Sequence, residues 1–494
     1  MKQGFDNAAY LKIQYEHILE RVEMFSKLYL EFGGKLFEDL HAARVLPGYN
    51  PNAKMMLLEK FKDKAEIIIC INAGDIQNKK QRNDLGILYT DEVLRLEDIF
   101  RKRGLTVSNI VITQFKEEPL AIEFRDKLKS LGKNVYVHRP IANYPANAEY
   151  IVSDQGFGAN DYLPTTKPLV IVTAPGPGSG KMATCLNELY HEYKMGKTAG
   201  YAKFESFPVW NMPLEHPVNI AYEAATLELK DQNMIDSYHY NKYGIVTVNY
   251  NRDISIFPVV RTMLEKITNR DDIYFSPTDM GVNMIKFAIT DDEVVRKAAC
   301  EEIVRRYYNA LYDYAHNKCD ESLVNSAIVL MNKAGIDVNV RAAVSAAEDK
   351  QKKKNCPAVA IELPDGTVIT GRDNRAMNAS ASAVFNAIKY LAGIDDKVKL
   401  LAPEMIEPIL NLKRNVFKYR RKFLTLEEAL IVLAYSSSSG DEILKSAMAC
   451  LSKLSGSDAH STVMLADHER RSFRQLGITV TCDAVAPDFD KILY

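Results

Sequence analysis

Apolar positions change their period twice along this chain. Over residues 10–27 they recur at three- and four-residue spacing (Leu11, Ile18, Leu19, Val22, Phe25). That spacing predicts an amphipathic helix, ending at the break Gly33-Gly34-Lys35. A second helix is expected over 36–45, before Pro47-Gly48. Beyond it, short apolar runs alternate with helical periods. Runs at 67–72, 109–113, 135–138, 169–174 and 245–249 predict strands. Residues 91–103, 120–131 and 181–193 predict helices, each followed closely by glycine (Gly104, Gly132, Gly196). Apolar strands joined by helices of this length imply βαβ units, hence an α/β domain with a mostly parallel sheet between two helical layers.

After residue 260 the helical period takes over, at 293–314, 322–333 and 341–348. A strict alternation over 358–363, the turn Pro364-Asp365-Gly366 and a return run at 367–370 then predict a β-hairpin. A helix is expected at 378–392. The serines Ser436 to Ser439, before Gly440-Asp441, read as a loop capping the next helix, and 478–481 as a last strand. The expected division is 1–260, an N-terminal α/β domain; 261–355, mainly helical; and 356–494, a smaller C-terminal α/β domain.

Charge narrows the function. The chain of 494 residues carries 63 Lys+Arg against 64 Asp+Glu, a formal net charge of −1. A dedicated nucleic-acid binder needs a basic excess, so no nucleic-acid partner is expected. No apolar run approaches the roughly 20 residues of a membrane span, so no membrane partner is expected either. Seven dispersed cysteines without CxxC spacing suggest neither a disulfide framework nor a zinc ribbon. With no apolar export segment in the first 17 residues, the expected location is the cytoplasm.

The strongest chemical signal is Pro175-Gly176-Pro177-Gly178-Ser179-Gly180-Lys181-Met182-Ala183-Thr184, which follows the strand LVIVTA and opens a helix. That is the setting of a phosphate-binding loop. Glycines let backbone N–H groups wrap an anion, the helix N-terminus adds positive charge, and the lysine reaches a terminal phosphate. Gly176, Gly178, Ser179, Gly180, Lys181 and Thr184 are the candidate phosphate or nucleotide ligands. The match to GxxxxGK[ST] is degenerate, with Pro175 and Met182 at two fixed positions. Met182 replaces the hydroxyl that holds Mg²⁺, and Thr184 is a poor substitute about 200° round the helix. Mg²⁺ is therefore not supported. A glycine-rich turn needed only for packing explains the same residues.

A second candidate set lies near expected strand ends, where open α/β sheets take ligands. It comprises Asn72, Asp75, His216, Asn219, Asp236, Asn251, Arg252 and Asp253 as a possible substrate pocket. Each of these also suits turn and cap hydrogen bonds. HExxH fails at His191-Glu192 for want of a second histidine, and no GxSxG elbow or zinc-finger spacing occurs, so no metal site is assigned.

The hairpin AVAIELPDGTVITG with the helix NASASAVFNAIKYLA resembles the cytidine-deaminase-like layout, without its zinc motifs. The blocks APGPGSGKMAT, HPVNIAYEAAT, VNYNRD, SPTDMGVNM and LPDGTVITG together resemble the bacterial domain of unknown function family 1846, over essentially the whole chain. The resemblance implies an N-terminal α/β part, a helical part and a C-terminal α/β part, and brings no catalytic residue. Two functions remain open. One is an enzyme that binds a nucleotide or phosphorylated small molecule; the other is a non-catalytic ligand sensor or assembly subunit. A homodimer is expected, in part because Tyr307, Tyr308, Tyr312 and Tyr314 spread over more than one helix face.

Overall fold

A computed structural model describes residues 2–34, 36–82, 86–419, 423–438 and 440–486. Lys35 of the expected glycine break and Ser439 of the serine loop lie outside the described residues. The chain packs as two units, residues 3–298 and a second that begins at Ala299.

The first unit is α/β. Its strands are β1 (Lys27–Phe32), β2 (Ala65–Asn72), β3 (Thr106–Thr113), β4 (Val135–Val137), β5 (Leu169–Thr173) and β6 (Ala199–Phe204). They form one sheet in the order β4-β3-β2-β5-β1-β6, with every pair parallel. Helix α1 (Asn7–Glu23) precedes β1, α2 (Tyr89–Lys102) precedes β3, α3 (Pro119–Ser130) precedes β4, and α4 (Lys181–Lys194) joins β5 to β6. Helix α2 opens with Asp91 and Glu92 and closes with Arg101 and Lys102, which complements its dipole.

The apolar runs become central strands. Ile67 to Ile71 and Leu169 to Val172 are buried throughout, and each such side chain is worth about 1.5–3 kcal/mol removed from water. The expected strand at 245–249 is displaced. Val248–Tyr250 forms β8, which pairs antiparallel with β7 (Asn233–Ile235) in a separate ribbon. Helix α5 (Asn251–Thr268) follows directly and packs, with α4, over the Tyr29 and Tyr201 face of the sheet. The strands β1 and β6 lie in stretches where the sequence predicted none.

The connections fix where a ligand can enter. From β1 the chain passes beyond β5 to reach β2; from β5 it passes through α4 beyond β1 to reach β6. Right-handed crossovers running in opposite directions lie on opposite faces. The carboxyl ends of β1 and β5 therefore border the crevice where open α/β sheets accept ligands.

The second unit carries most of α6 (Asp292–Ala315), then α7 (Ala342–Lys354), β9 (Ala358–Glu362), β10 (Val368–Arg372), α8 (Ala379–Leu391), β11 (Asp458–Ser461) and β12 (Thr479–Cys482). The hairpin β9–β10 forms as its alternation predicts. Strand order is β10-β9-β11-β12, with β9 antiparallel to both neighbours and β11 parallel to β12. Val359 and Ile361 pack towards α8, and Ala360 towards α7. Of the four tyrosines, Tyr308 and Tyr312 point inward, while Tyr314 is exposed. Tyr308 packs on His460, ring centroids 4.5 Å apart, and the Tyr312 hydroxyl donates to Asp467 Oδ1 at 2.9 Å. Both rings are covered by this chain's own C-terminal sheet and helices.

One carboxylate ties this unit together. Asp458 accepts from Arg305 Nε at 2.9 Å through Oδ1, and from Arg341 Nε and Nη2 at 2.9 and 2.8 Å through Oδ2. Arg341 is fully buried. Burial alone would raise the Asp458 carboxyl, but the two guanidiniums outweigh it and hold it below the usual range. An acid whose native pKa is depressed contributes its stability above its unfolded value, about 3.9, and loses it as pH falls through the native value. The denaturation midpoint should therefore fall on acidification below about pH 4, and Asp458→Asn should flatten that acid limb while lowering stability at neutral pH.

Candidate functional site

Strands β1 (KLYLEF) and β6 (AGYAKF) run side by side in a register that places Tyr29 opposite Tyr201 and Glu31 opposite Lys203. The period of two puts the tyrosines and the charged pair on one face. The tyrosines fill the core under α4 and α5, and the charges emerge one step further, at the carboxyl edge. There Tyr201 donates its hydroxyl to Glu31 Oε2 at 2.7 Å.

Lys203 sits at the centre. Its Nζ donates to both Asp253 oxygens, at 2.8 and 2.6 Å, and to the Tyr250 hydroxyl, with Glu205 Oε1 at 3.4 Å. Tyr250 and Asp253 come from the start of α5, so this ammonium fastens that helix to the edge strand. Burial would lower the Lys203 ammonium, but the Asp253, Glu205 and Glu31 carboxylates outweigh it and raise its pKa. Burial pushes the Glu205 carboxyl up, against the pull of Lys203 and helped by the Asp253 charge.

The glycine loop closes the other side of the crevice. Gly178 and Gly180 hold φ of +75° and +82°, a region that favours glycine. Loop carbonyls face the sheet: Asn72 Nδ2 donates to the Gly178 carbonyl at 3.2 Å and Thr113 Oγ1 to that of Ser179 at 2.8 Å. The buried Ser179 hydroxyl donates to the Gly176 carbonyl at 2.9 Å. Gly180 stands at the N-cap of α4 without a side-chain acceptor. The first-turn N–H groups of Lys181, Met182 and Ala183 thus have no acceptor inside the helix. Lys181 Nζ lies 3.8 Å from Glu31 Oε1 and, among the described residues, makes no hydrogen bond.

Of the sequence candidates, Asn72 reaches the loop directly, and Asp253 joins the same edge through Lys203. Thr184 is buried, 3.5 Å from Cys70 Sγ, beneath the loop. The others hold turns and helix ends. Asp75 pairs with Lys80 at 3.1 Å. His216 caps the helix Pro217–Ala225 and meets Asp292 at 3.0 Å. Asn219 accepts from Val209 N at 2.8 Å. Asp236 caps the helix Ser237–Tyr243 and takes the Thr278 hydroxyl at 2.7 Å. Asn251 accepts from Gln232 N at 3.3 Å, and Arg252 binds Asp231 at 2.6 and 2.9 Å.

Sequence reasoning missed Glu31, Tyr201, Lys203, Glu205 and Tyr250. The signal was present in LYLEF and GYAKFE, where an aromatic and then a charge occupy alternate positions.

Lys203→Met should cost about 3–5 kcal/mol in urea denaturation, because it leaves the buried Asp253 without its cation. Lys203→Arg should cost less, since it keeps the charge.

The family model described as "Domain of unknown function DUF1846, N-terminal" matches residues 3–335, and its C-terminal counterpart matches residues 339–492. Among curated relatives, a UPF0371 protein of Clostridium tetani is 50% identical over 495 residues, covering 99% of this chain and 98% of the relative. UPF0371 proteins of Clostridioides difficile and of Clostridium botulinum (strain Loch Maree) are each 49% identical, over 99% and 98% of this chain and the same shares of theirs. The chain belongs to the DUF1846 family, along its N-terminal and C-terminal parts alike.

Proposed function

We propose that this protein binds a phosphorylated small molecule or a nucleotide, with a phosphate seated at Gly176–Lys181 in a degenerate P-loop-like turn. The observation that carries this reading is Lys181. Its side chain is only 14% exposed, and its ammonium stands beside an uncapped helix N-terminus and makes no hydrogen bond to any described residue. An anion at the crevice gains the ammonium, the first-turn N–H groups and the helix dipole together. Gly176, Gly178, Ser179 and Gly180 shape the cradle, and Thr184 supports it from below. Met182 leaves no hydroxyl at the position that holds Mg²⁺ in the full motif, so the reading requires none.

Met182 also favours the second reading, a sensor or assembly subunit without catalysis. Product detected by mass spectrometry and lost in Lys181→Ala would eliminate the sensor. Saturable binding without product over hours would favour the sensor. For the second unit we propose a cytidine-deaminase-like layout without zinc, supported by the strand order β10-β9-β11-β12 and the helix α8 packed on the hairpin. A cytoplasmic location is supported by seven cysteines that remain thiols. A homodimer rests on the prevalence of two-fold assemblies.

Phosphate compounds at a hundred times their Kd should stabilise the wild type by about 2.7 kcal/mol in a thermal-shift panel, and Lys181→Ala should lose the shift. Equal shifts in both proteins, or none from any phosphate compound, overturn the site. Light scattering should give twice the protomer mass; a mass near 55.7 kDa overturns the dimer.

A further inference from the structure

Beyond the glycine loop the crevice changes sign. Glu31 Oε2 is taken by Tyr201, while Oε1 faces Lys181 at 3.8 Å and receives no hydrogen bond from any described residue. This side chain is nine-tenths buried, with 9% exposure. Glu205, a quarter exposed, offers a second carboxyl. Lys203 supplies no spare positive charge there, because both Asp253 oxygens and the Tyr250 hydroxyl already hold its ammonium. Among these residues, the positive charge beside the glycine loop comes from Lys181 and the start of α4. Carboxylates only accept hydrogen bonds, so they attract hydroxyl groups and repel a second phosphate. Tyr144, from the segment between β4 and β5, feels the Glu31 charge. Burial, with the Glu31 charge adding to it, pushes its phenol up to about 12, yet the residue keeps 37% exposure. An exposed aromatic face can lie against the C–H face of a sugar ring.

Resting on the phosphate reading above, we propose that the crevice takes a monophosphate with a hydroxyl-rich remainder, a sugar or polyol phosphate, and discriminates against di- and triphosphates. The phosphate sits at Lys181 and the first turn of α4. Hydroxyls donate to Glu31 Oε1 and to Glu205, and the remainder packs on Tyr144.

Isothermal titration of the full chain decides this. The probes are inorganic phosphate, methyl phosphate, ATP, and hexose, pentose and linear-polyol monophosphates. At least one hydroxyl-rich monophosphate should bind about tenfold or more tighter than methyl phosphate, as expected for hydrogen bonds to a charged acceptor. ATP should bind more weakly than that compound. Glu31→Gln and Glu205→Gln should shrink the preference over methyl phosphate to about threefold or less, which is the loss of a charge-assisted bond. Wild-type protein that binds methyl phosphate as tightly as every hydroxylated monophosphate, or ATP tightest of all, overturns this inference and leaves the phosphate site standing. Failure of every phosphate probe to bind overturns the phosphate site, and this inference with it. The wild-type ranking alone separates these outcomes, whether or not either variant folds.

Discussion

A parallel sheet covered on both faces leaves polar side chains one outlet, the ends of its strands. In this chain that constraint meets a buried ammonium. Lys203 emerges from β6 at the edge of the sheet, and its charge is tolerable only because Asp253, Tyr250 and Glu205 surround it. Two of those partners belong to the start of α5. The interaction that neutralises Lys203 therefore also sets where α5 lies, and with it one wall of the crevice. The opposite wall, the glycine loop, is set by hydrogen bonds from Asn72 on β2 and Thr113 on β3. Three neighbouring strands thus take part in placing one short turn.

The two units solve the same problem differently. In the first, the charges gather at a strand edge that remains partly open. In the second, Asp458 is enclosed by Arg305 and Arg341, and Arg341 also donates to Thr481 on β12 at 2.6 Å. Every strong donor there has an acceptor within the unit. That closure makes the Asp458 cluster a fastener between helices and sheet, whereas the first-turn N–H groups after Gly180 have no acceptor inside their helix.

What the sequence revealed followed burial. Strands whose both faces are covered read as unbroken apolar runs, and 67–72 and 169–174 were found for that reason. The hairpin at 358–370 was legible through its alternation and its Pro-Asp-Gly turn. Strands β1 and β6 were not, because Lys27, Glu31 and Lys203 interrupt the apolar pattern and the helical period of α1 runs up to the first of them. The polar residues of turns were ambiguous in the sequence. His216, Asp236 and Asn251 have the composition of a binding site, but their side chains are used in capping and bridging backbone groups. Composition cannot separate a carboxylate that caps a helix from one that faces a cavity; only the tertiary partners do. The glycine loop was legible as a local motif, whereas Glu31, brought beside it by a strand-order crossover, was not.

The anchoring of that loop has a kinetic side. Its carbonyls are fixed from beneath by Asn72, Thr113 and its own Ser179 hydroxyl, so its backbone is ordered when the protein folds. On the proposed reading, an anion arriving there spends little of its binding energy on immobilising the chain. On that reading, association is governed by diffusion and by the charge of Lys181, and the residence time of the ligand by the contacts made beyond the phosphate.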